Sequence, residues 1–179
     1  MNRFMIVVNP DKDTDSTVTN RIQSYLEAHG AACMVRDVFH LEFSDWEALQ
    51  KEQFDCVLVL GGDGTLLRMA GETEDIDIPL FGINLGTVGF LTEGEVANIE
   101  EILDRLLTDD FTIEERMMVT GTVTKADGTT YRKSALNDIV ISRAGFSRLI
   151  GLNVSVDGQV LDTYEADGVV ISTPTGSTG

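Results

Sequence analysis

The chain has 179 residues, with 30 acidic against 13 basic side chains, a formal charge of −17, 42% hydrophobic residues and only 3 prolines. These values exclude a disordered or collagen-like chain, and a charge this negative is ill suited to a generic electrostatic grip on DNA or RNA. No apolar run approaches the roughly 20 residues of a membrane span. The run Phe4–Val8 is too short for a signal peptide and Asn9-Pro10 ends it without a cleavage-like site, so a cytoplasmic protein with no membrane partner is expected. The acidity is uneven: residues 1–110 hold 22 acids and 7 bases, residues 111–179 hold 8 and 6. Cys33 and Cys56 belong to no Cys/His cluster and read as buried free thiols.

The first part alternates apolar runs with helical periodicity. Phe4–Val8 predicts a strand covered on both faces. Val18, Ile22, Tyr25 and Leu26 follow at helical spacing, with Gly30 as the stop. Ala31–Val35 predicts a second strand, and Ser44-Asp45-Trp46-Glu47 has the spacing of a capping box that opens a short helix. Cys56–Leu60 predicts a third strand running into Gly61-Gly62-Asp63-Gly64-Thr65, with a helix from Leu66 to Ala70. Leu80–Ile83 reads as a fourth strand, and Val96, Ile99, Leu103 and Leu106 as one face of a further helix. Such a βαβ series predicts an open, mostly parallel sheet over residues 1–110. From about residue 111 helical periodicity stops. Asp127-Gly128 and Asp157-Gly158 are hairpin signals, and Leu152, Val154 and Val156 alternate with polar residues. Residues 111–179 are therefore expected to form an all-β, antiparallel, sandwich-like domain. Ending in the turn-rich Thr173–Gly179, it is expected to be incomplete.

Four segments carry chemistry. Gly61–Thr65 closes an apolar strand, where open α/β sheets place their ligands. Its glycines allow close approach and the following helix offers free N–H groups to phosphate. Asp63 at the mouth of an anion site suits a base for a hydroxyl or a partner for a phosphate-bound metal. The competing reading is a tight turn in which Asp63 caps the helix. No GxxxxGK[ST] occurs, and Leu67 stands where a dinucleotide fingerprint needs its third glycine. The second segment, Gly82–Leu91, has three glycines in eight residues after a strand. The third, Asn137-Asp138, could grip a ribose or a purine amino group. The fourth joins Asp167-Gly168 to the hydroxyl-rich Thr173–Thr178.

In order and spacing these segments resemble the NAD kinase family over nearly the whole chain. Gly-Gly-Asp-Gly is shared with diacylglycerol, sphingosine and 6-phosphofructokinases, whereas Leu85–Leu91 and Thr173–Gly179 are specific to the NAD kinase branch. The resemblance implies transfer of the γ-phosphoryl of ATP, or in some members of polyphosphate, to the 2′-hydroxyl of the adenosine ribose of NAD. A divalent ion, usually Mg²⁺, is implied with it. That ion would also reconcile so acidic a chain with two polyanionic substrates. By resemblance Asp63 is the base, with Gly62, Gly64, Thr65 and Asn84 in the nucleotide-binding loops and Arg68 and Arg148 near phosphate. Asn137 and Asp138 lie on the ribose and adenine of NAD. Asp167 lies at the nicotinamide end or at a neighbouring adenine contact, and Thr175 and Thr178 line the adenine pocket. No side chain is assigned to metal. Asp138 stands where many members have Glu. Glu165 stands where Arg or Asn is common, so no role is carried to it. Full-length members are expected to be homo-oligomers, and the chain is expected to be a fragment that is itself inactive if the missing part completes the site. The alternatives are a lipid or sugar kinase using the same loop, and a non-catalytic dinucleotide-binding protein.

Overall fold

A computed structural model describes residues 1–51, 53–87, 89–145 and 148–177. The chain divides into two compact units, Met1–Glu115 and Arg116–Gly179.

The first unit runs β1 (Arg3–Val8), α1 (Thr17–Ala28), β2 (Ala32–Asp37), α2 (Phe43–Lys51), β3 (Cys56–Gly61), α3 (Asp63–Glu72), β4 (Leu80–Asn84), β5 (Gly94–Glu95), a 3-10 turn (Val96–Asn98) and α4 (Ile99–Leu107). Its five strands form one parallel sheet in the order β2-β1-β3-β4-β5. Alternation along the strands sends side chains to opposite faces. Phe4, Ile6, Leu58 and Leu60 pack with Ile22, Leu26, Leu103 and Leu106 of α1 and α4. Met5, Val7, Val57 and Val59 pack with Leu49, Leu66 and Met69 of α2 and α3. Both faces are covered, which is why β1 and β3 read as unbroken apolar runs. The order steps one way from β1 to β2 and the other way from β1 to β3, so the carboxyl ends of β1 and β3 flank the point where ligands bind in such sheets.

Two expectations shift. Helix α2 starts at Phe43, and the Ser44 side chain of the expected capping box lies outside the described residues; the reach-back bond comes from Asp45, whose carboxylate accepts the Glu42 N–H at 2.9 Å and pairs with Arg36. Helix α3 starts at Asp63, three residues before Leu66, because Gly62 takes the extended N-cap conformation and its carbonyl accepts the Thr65 and Leu66 N–H groups. The two-residue β5, too short to show periodicity, was not foreseen from the sequence.

The second unit contains β6 (Val119–Thr124), β7 (Thr130–Ala135), β8 (Asp138–Ser142), β9 (Ile150–Val156), β10 (Gln159–Ala166) and β11 (Gly168–Ser172). All pairings are antiparallel, and the strands form three two-stranded ladders: β6 with β7, β9 with β10, and β8 with β11. The β9–β10 turn has Asp157 and Gly158 both at positive φ (51° and 78°), the tight two-residue hairpin that Asp-Gly favours. Apolar side chains including Val140, Ile141, Val170 and Ile171 are exposed on the β8–β11 ladder.

Candidate functional site

Strand β3, the central strand, carries Gly61-Gly62 at its carboxyl end, and Asp63 is the first residue of α3. The N-cap of α3 is Gly62, and the Asp63 carboxylate is engaged away from its own helix. Its carboxylate crosses to the second glycine loop. Oδ2 accepts the Phe90 N–H at 2.7 Å; Oδ1 accepts the Leu91 and Thr92 N–H groups, each at 3.1 Å, and the Thr92 hydroxyl at 3.2 Å. Gly89 makes the approach possible, since a Cβ there would overlap the carboxylate. Partial burial pushes the Asp63 carboxyl up, but the donors at Phe90, Leu91 and Thr92 outweigh it and hold the group below its ordinary pKa. The group is thus an ionised anchor at neutral pH, and Oδ2, with one donor, keeps room to accept another.

The second loop is shaped from within. Asn84 is buried at the end of β4; its amide donates to the Thr87 carbonyl at 2.7 Å and the Thr92 hydroxyl at 3.2 Å, and its Oδ1 accepts the Gly86 N–H at 2.7 Å. Val88 lies outside the described residues. The Asn84 amide is therefore engaged with the loop backbone and Thr92.

A cavity of about 310 Å³ opens at the carboxyl ends of β1 and β3, lined by Asn9, Lys12, Phe39, Gly62, Gly64 and Arg68 among others. Thr65 also lines it but is buried, and its hydroxyl meets the Asn9 amide at 3.5 Å. Asn9 accepts the Asp11 N–H on its side chain and the Lys12 N–H on its carbonyl, which turns the chain so that Lys12 reaches the cavity. Lys12 and Asn9 were missed in the sequence, where Asn9-Pro10 served only to end a strand; a lone base in the acidic run Asp11–Asp15 was the available signal. Among the described residues no group of three or more His, Cys, Asp or Glu is placed to hold a metal ion.

In the second unit the structure brings two predicted segments together. The Asn137 carbonyl accepts the Thr173 N–H at 2.8 Å, and the Thr173 hydroxyl donates to the Leu136 carbonyl at 2.5 Å. Gly176 lies flush on Asn137, where a Cβ would overlap the backbone. Asp138 pairs in register with Ser172. Thr175 therefore sits in the turn that packs on Leu136-Asn137, and its hydroxyl meets Arg116 at 3.5 Å. Asp167 is ion-paired with Arg143 at 2.8 Å, a partner the sequence did not reveal. Arg148 is exposed in the segment between β8 and β9, and Thr178 lies outside the described residues.

The ATP-NAD kinase N-terminal domain profile matches residues 4–111, and the ATP-NAD kinase C-terminal domain profile matches residues 136–179. The chain is 43% identical to a NAD kinase of Lachnoclostridium phytofermentans, over 100% of the chain and 64% of that protein. It is 42% identical to a NAD kinase of Agathobacter rectalis, over 100% of the chain and 63% of that protein. It thus spans just under two thirds of the length of these relatives. A crystal structure of yeast NADH kinase complexed with NADH shares the fold, with a TM-score of 0.79 at 23% identity over 99% of this chain and 59% of that one. With both domain profiles matched in sequence order, the chain belongs to the ATP-NAD kinase family.

Proposed function

We propose that the protein containing this chain transfers the γ-phosphoryl of ATP to the 2′-hydroxyl of the adenosine ribose of NAD, giving NADP. The observation that carries the reading is the pairing of family membership with an ionised Asp63 at the edge of a glycine-lined cavity. Asp63 is the group on which the 2′-hydroxyl proton comes to rest, accepting it at Oδ2. A carboxylate held below its ordinary pKa is a weak base. That suits phosphoryl transfer, whose loose transition state needs little deprotonation of the nucleophile before the phosphorus–oxygen bond to the leaving group has weakened. Oriented acceptance of the hydroxyl, more than proton abstraction, is the contribution of Asp63.

Asn84 acts through the shape of its loop. Asn137 and Asp138 recognise the ribose and adenine of NAD, with Thr175 and Thr178 lining the adenine pocket. Asp167, steadied by Arg143, contacts the nicotinamide end or the adenine, and Arg148 lies near phosphate. A magnesium ion would accompany the phosphates of the donor. Among the described residues no group of three or more His, Cys, Asp or Glu is placed to hold it. The full-length protein is proposed to be a cytoplasmic homo-oligomer; no described helix is long and apolar enough to cross a membrane.

The test is NADP formation from NAD, ATP and magnesium by the gene product carrying this chain, read with an NADP-specific dehydrogenase. Asp63→Asn should lower kcat by about 10²-fold or more, the lower range for a positioned acid–base group. Wild-type turnover in that variant removes Asp63 from the chemistry, and phosphorylation of diacylglycerol, a sphingoid base or a sugar phosphate in place of NAD overturns the substrate assignment.

A further inference from the structure

Thr92 is a buried polar residue in the connection from the second glycine loop to β5. Its methyl stands against Gly82, in the middle of β4. A Cβ on Gly82 would lie 2.8 Å from Thr92 Cγ2, and 3.2 Å from Leu66 Cδ2 and from Thr92 Cα. A glycine inside a strand marks a place where a neighbour comes close, and here the neighbour is Thr92. The methyl is thus seated on the sheet, and the hydroxyl is turned to two polar partners, Asn84 and Asp63.

Those partners fix the direction of every hydrogen bond around the hydroxyl. Asn84, also buried, accepts the Gly86 N–H on Oδ1 at 2.7 Å and donates from Nδ2 to the Thr87 carbonyl at 2.7 Å. A backbone N–H only donates and a backbone carbonyl only accepts, so the amide cannot be turned round. Its second N–H goes to Thr92 Oγ1 at 3.2 Å. With one hydrogen arriving from Asn84, the hydroxyl's own hydrogen goes to the carboxylate, and Asp63 Oδ1 accepts it at 3.2 Å. The result is a one-way chain from Asn84 through Thr92 to Asp63, in which each donor polarises the next. It ends on one oxygen of the two. Oδ1 collects the Leu91 and Thr92 N–H groups as well as the hydroxyl, whereas among the described residues Oδ2 accepts one donor, the Phe90 N–H.

We propose that Thr92 is a positioning residue for Asp63: its hydroxyl, oriented by Asn84, completes the donor set on Oδ1 and so leaves Oδ2 as the oxygen presented to the substrate hydroxyl. Naming Oδ2 as the accepting oxygen rests on the kinase reading; the direction of the chain rests on the geometry alone. Thr92 acts through the carboxylate and not on the substrate. Its loss therefore changes how well Asp63 is aimed, which is felt in turnover more than in NAD binding. Two backbone N–H bonds to Oδ1 remain without the hydroxyl, so the loss is smaller than that from removing Asp63 itself.

Steady-state NADP formation by the gene product carrying this chain tests this, with variants that separate the hydroxyl from the methyl. Thr92→Val keeps the methyl that faces Gly82 and removes the hydroxyl. Its kcat should fall about tenfold, the scale of one hydrogen bond to a charged group, with KM for NAD within about twofold. Thr92→Ser keeps the hydroxyl and loses the methyl, and its kcat should stay within about threefold of wild type because the same hydrogen bonds are kept. Urea unfolding checks that each variant folds, and Thr92→Ala carries the expectation of Thr92→Val if the valine protein does not. In an Asp63→Ala background, Thr92→Val should lower the residual kcat by under about twofold, since the hydroxyl has lost the group it acts through. Full turnover in Thr92→Val, a loss confined to KM, an equal loss in Thr92→Ser, or an undiminished loss in the Asp63→Ala background overturns the proposal. The kinase reading is scored by other arms. No NADP from the wild-type protein, or wild-type turnover in Asp63→Asn, refutes that reading and takes the positioning role with it. A fully active Thr92→Val beside a crippled Asp63→Asn refutes the positioning role alone.

Discussion

Gly89→Ala isolates the contact between Asp63 and the second glycine loop. An alanine at Gly89 would place its Cβ in the space of the Asp63 carboxylate. Either the carboxylate or the loop must move, and the three N–H bonds and one hydroxyl bond to Asp63 are strained or lost. Hydrogen bonds to a charged group contribute about 1.5–3 kcal/mol each when desolvated. Phe90 is exposed and its N–H regains water; Thr92 is buried and Leu91 partly so. One to two bonds at full value give a loss of about 1.5–6 kcal/mol. The alanine offsets about 0.4–1 kcal/mol of this by restricting the unfolded chain. The assay is urea unfolding of four proteins: wild type, Gly89→Ala, Asp63→Ala and the double variant. The substitutions should couple by about 2 kcal/mol, with Gly89→Ala costing under about 0.5 kcal/mol once Asp63 is gone. A cost that is the same with and without Asp63 refutes the steric argument and the anchor with it.

Acid should release the same contact. Asp63 is held below its ordinary pKa, so its stabilising effect is complete above the unfolded value of about 3.9 and disappears as pH falls through the lower folded value. Amide-exchange protection of Leu91 and Thr92, corrected for intrinsic rates, should therefore be flat from about pH 5 to 8 and drop only below about pH 3.9; loss between pH 5 and 7 contradicts the assignment. Burial raises the Cys56 thiol to about 12 and the Cys33 thiol to about 11. Both should react with a disulfide reagent at pH 8 far more slowly than a free cysteine, Cys56 only on unfolding, and rapid labelling of two thiols in the native protein is the contrary result. Leu58→Ala, at a fully buried position of β3, should cost about 2–5 kcal/mol in urea unfolding, and a cost under 1 kcal/mol means the central strand is misplaced.

The parallel sheet was legible because its strands are buried on both faces and its helices show one apolar stripe each. Cys56–Leu60 and the stripe Ile99, Leu103, Leu106 needed only periodicity and length. What periodicity cannot carry was missed: a two-residue β5, and a helix whose start depends on one residue's conformation at Gly62. The site divides the same way. Glycine-rich loops and Asn137-Asp138 announce themselves as composition. The partners of a side chain do not, because they depend on which loops the fold brings together. Nothing near Asp63 in the chain says that its carboxylate is met 27 to 29 residues later, and nothing near Asp167 points back to Arg143. Lys12 was missed because its place is set by the Asn9 turn that carries it to the cavity, which periodicity does not show.

The five residues Gly61–Thr65 look like one motif but answer to three separate demands. Gly61 belongs to the fold, since a larger residue collides with Thr65 beneath it. Asp63 belongs to the second loop, which it ties to the end of β3 while leaving one lone pair of Oδ2 unused. Gly62 and Gly64 belong to neither, for they stand against open space in ordinary conformations. A uniform glycine requirement across the motif would make every alanine substitution equally damaging to stability. The geometry makes them different in kind: at Gly61 the fold suffers, while at Gly62 and Gly64 an added Cβ meets no neighbour and stability stands. Hence the motif is legible as a unit in sequence although its parts act through different neighbours. The Asp63 charge is turned toward the N–H groups of the second loop, while the glycine backbone, Lys12 and Arg68 line the cavity.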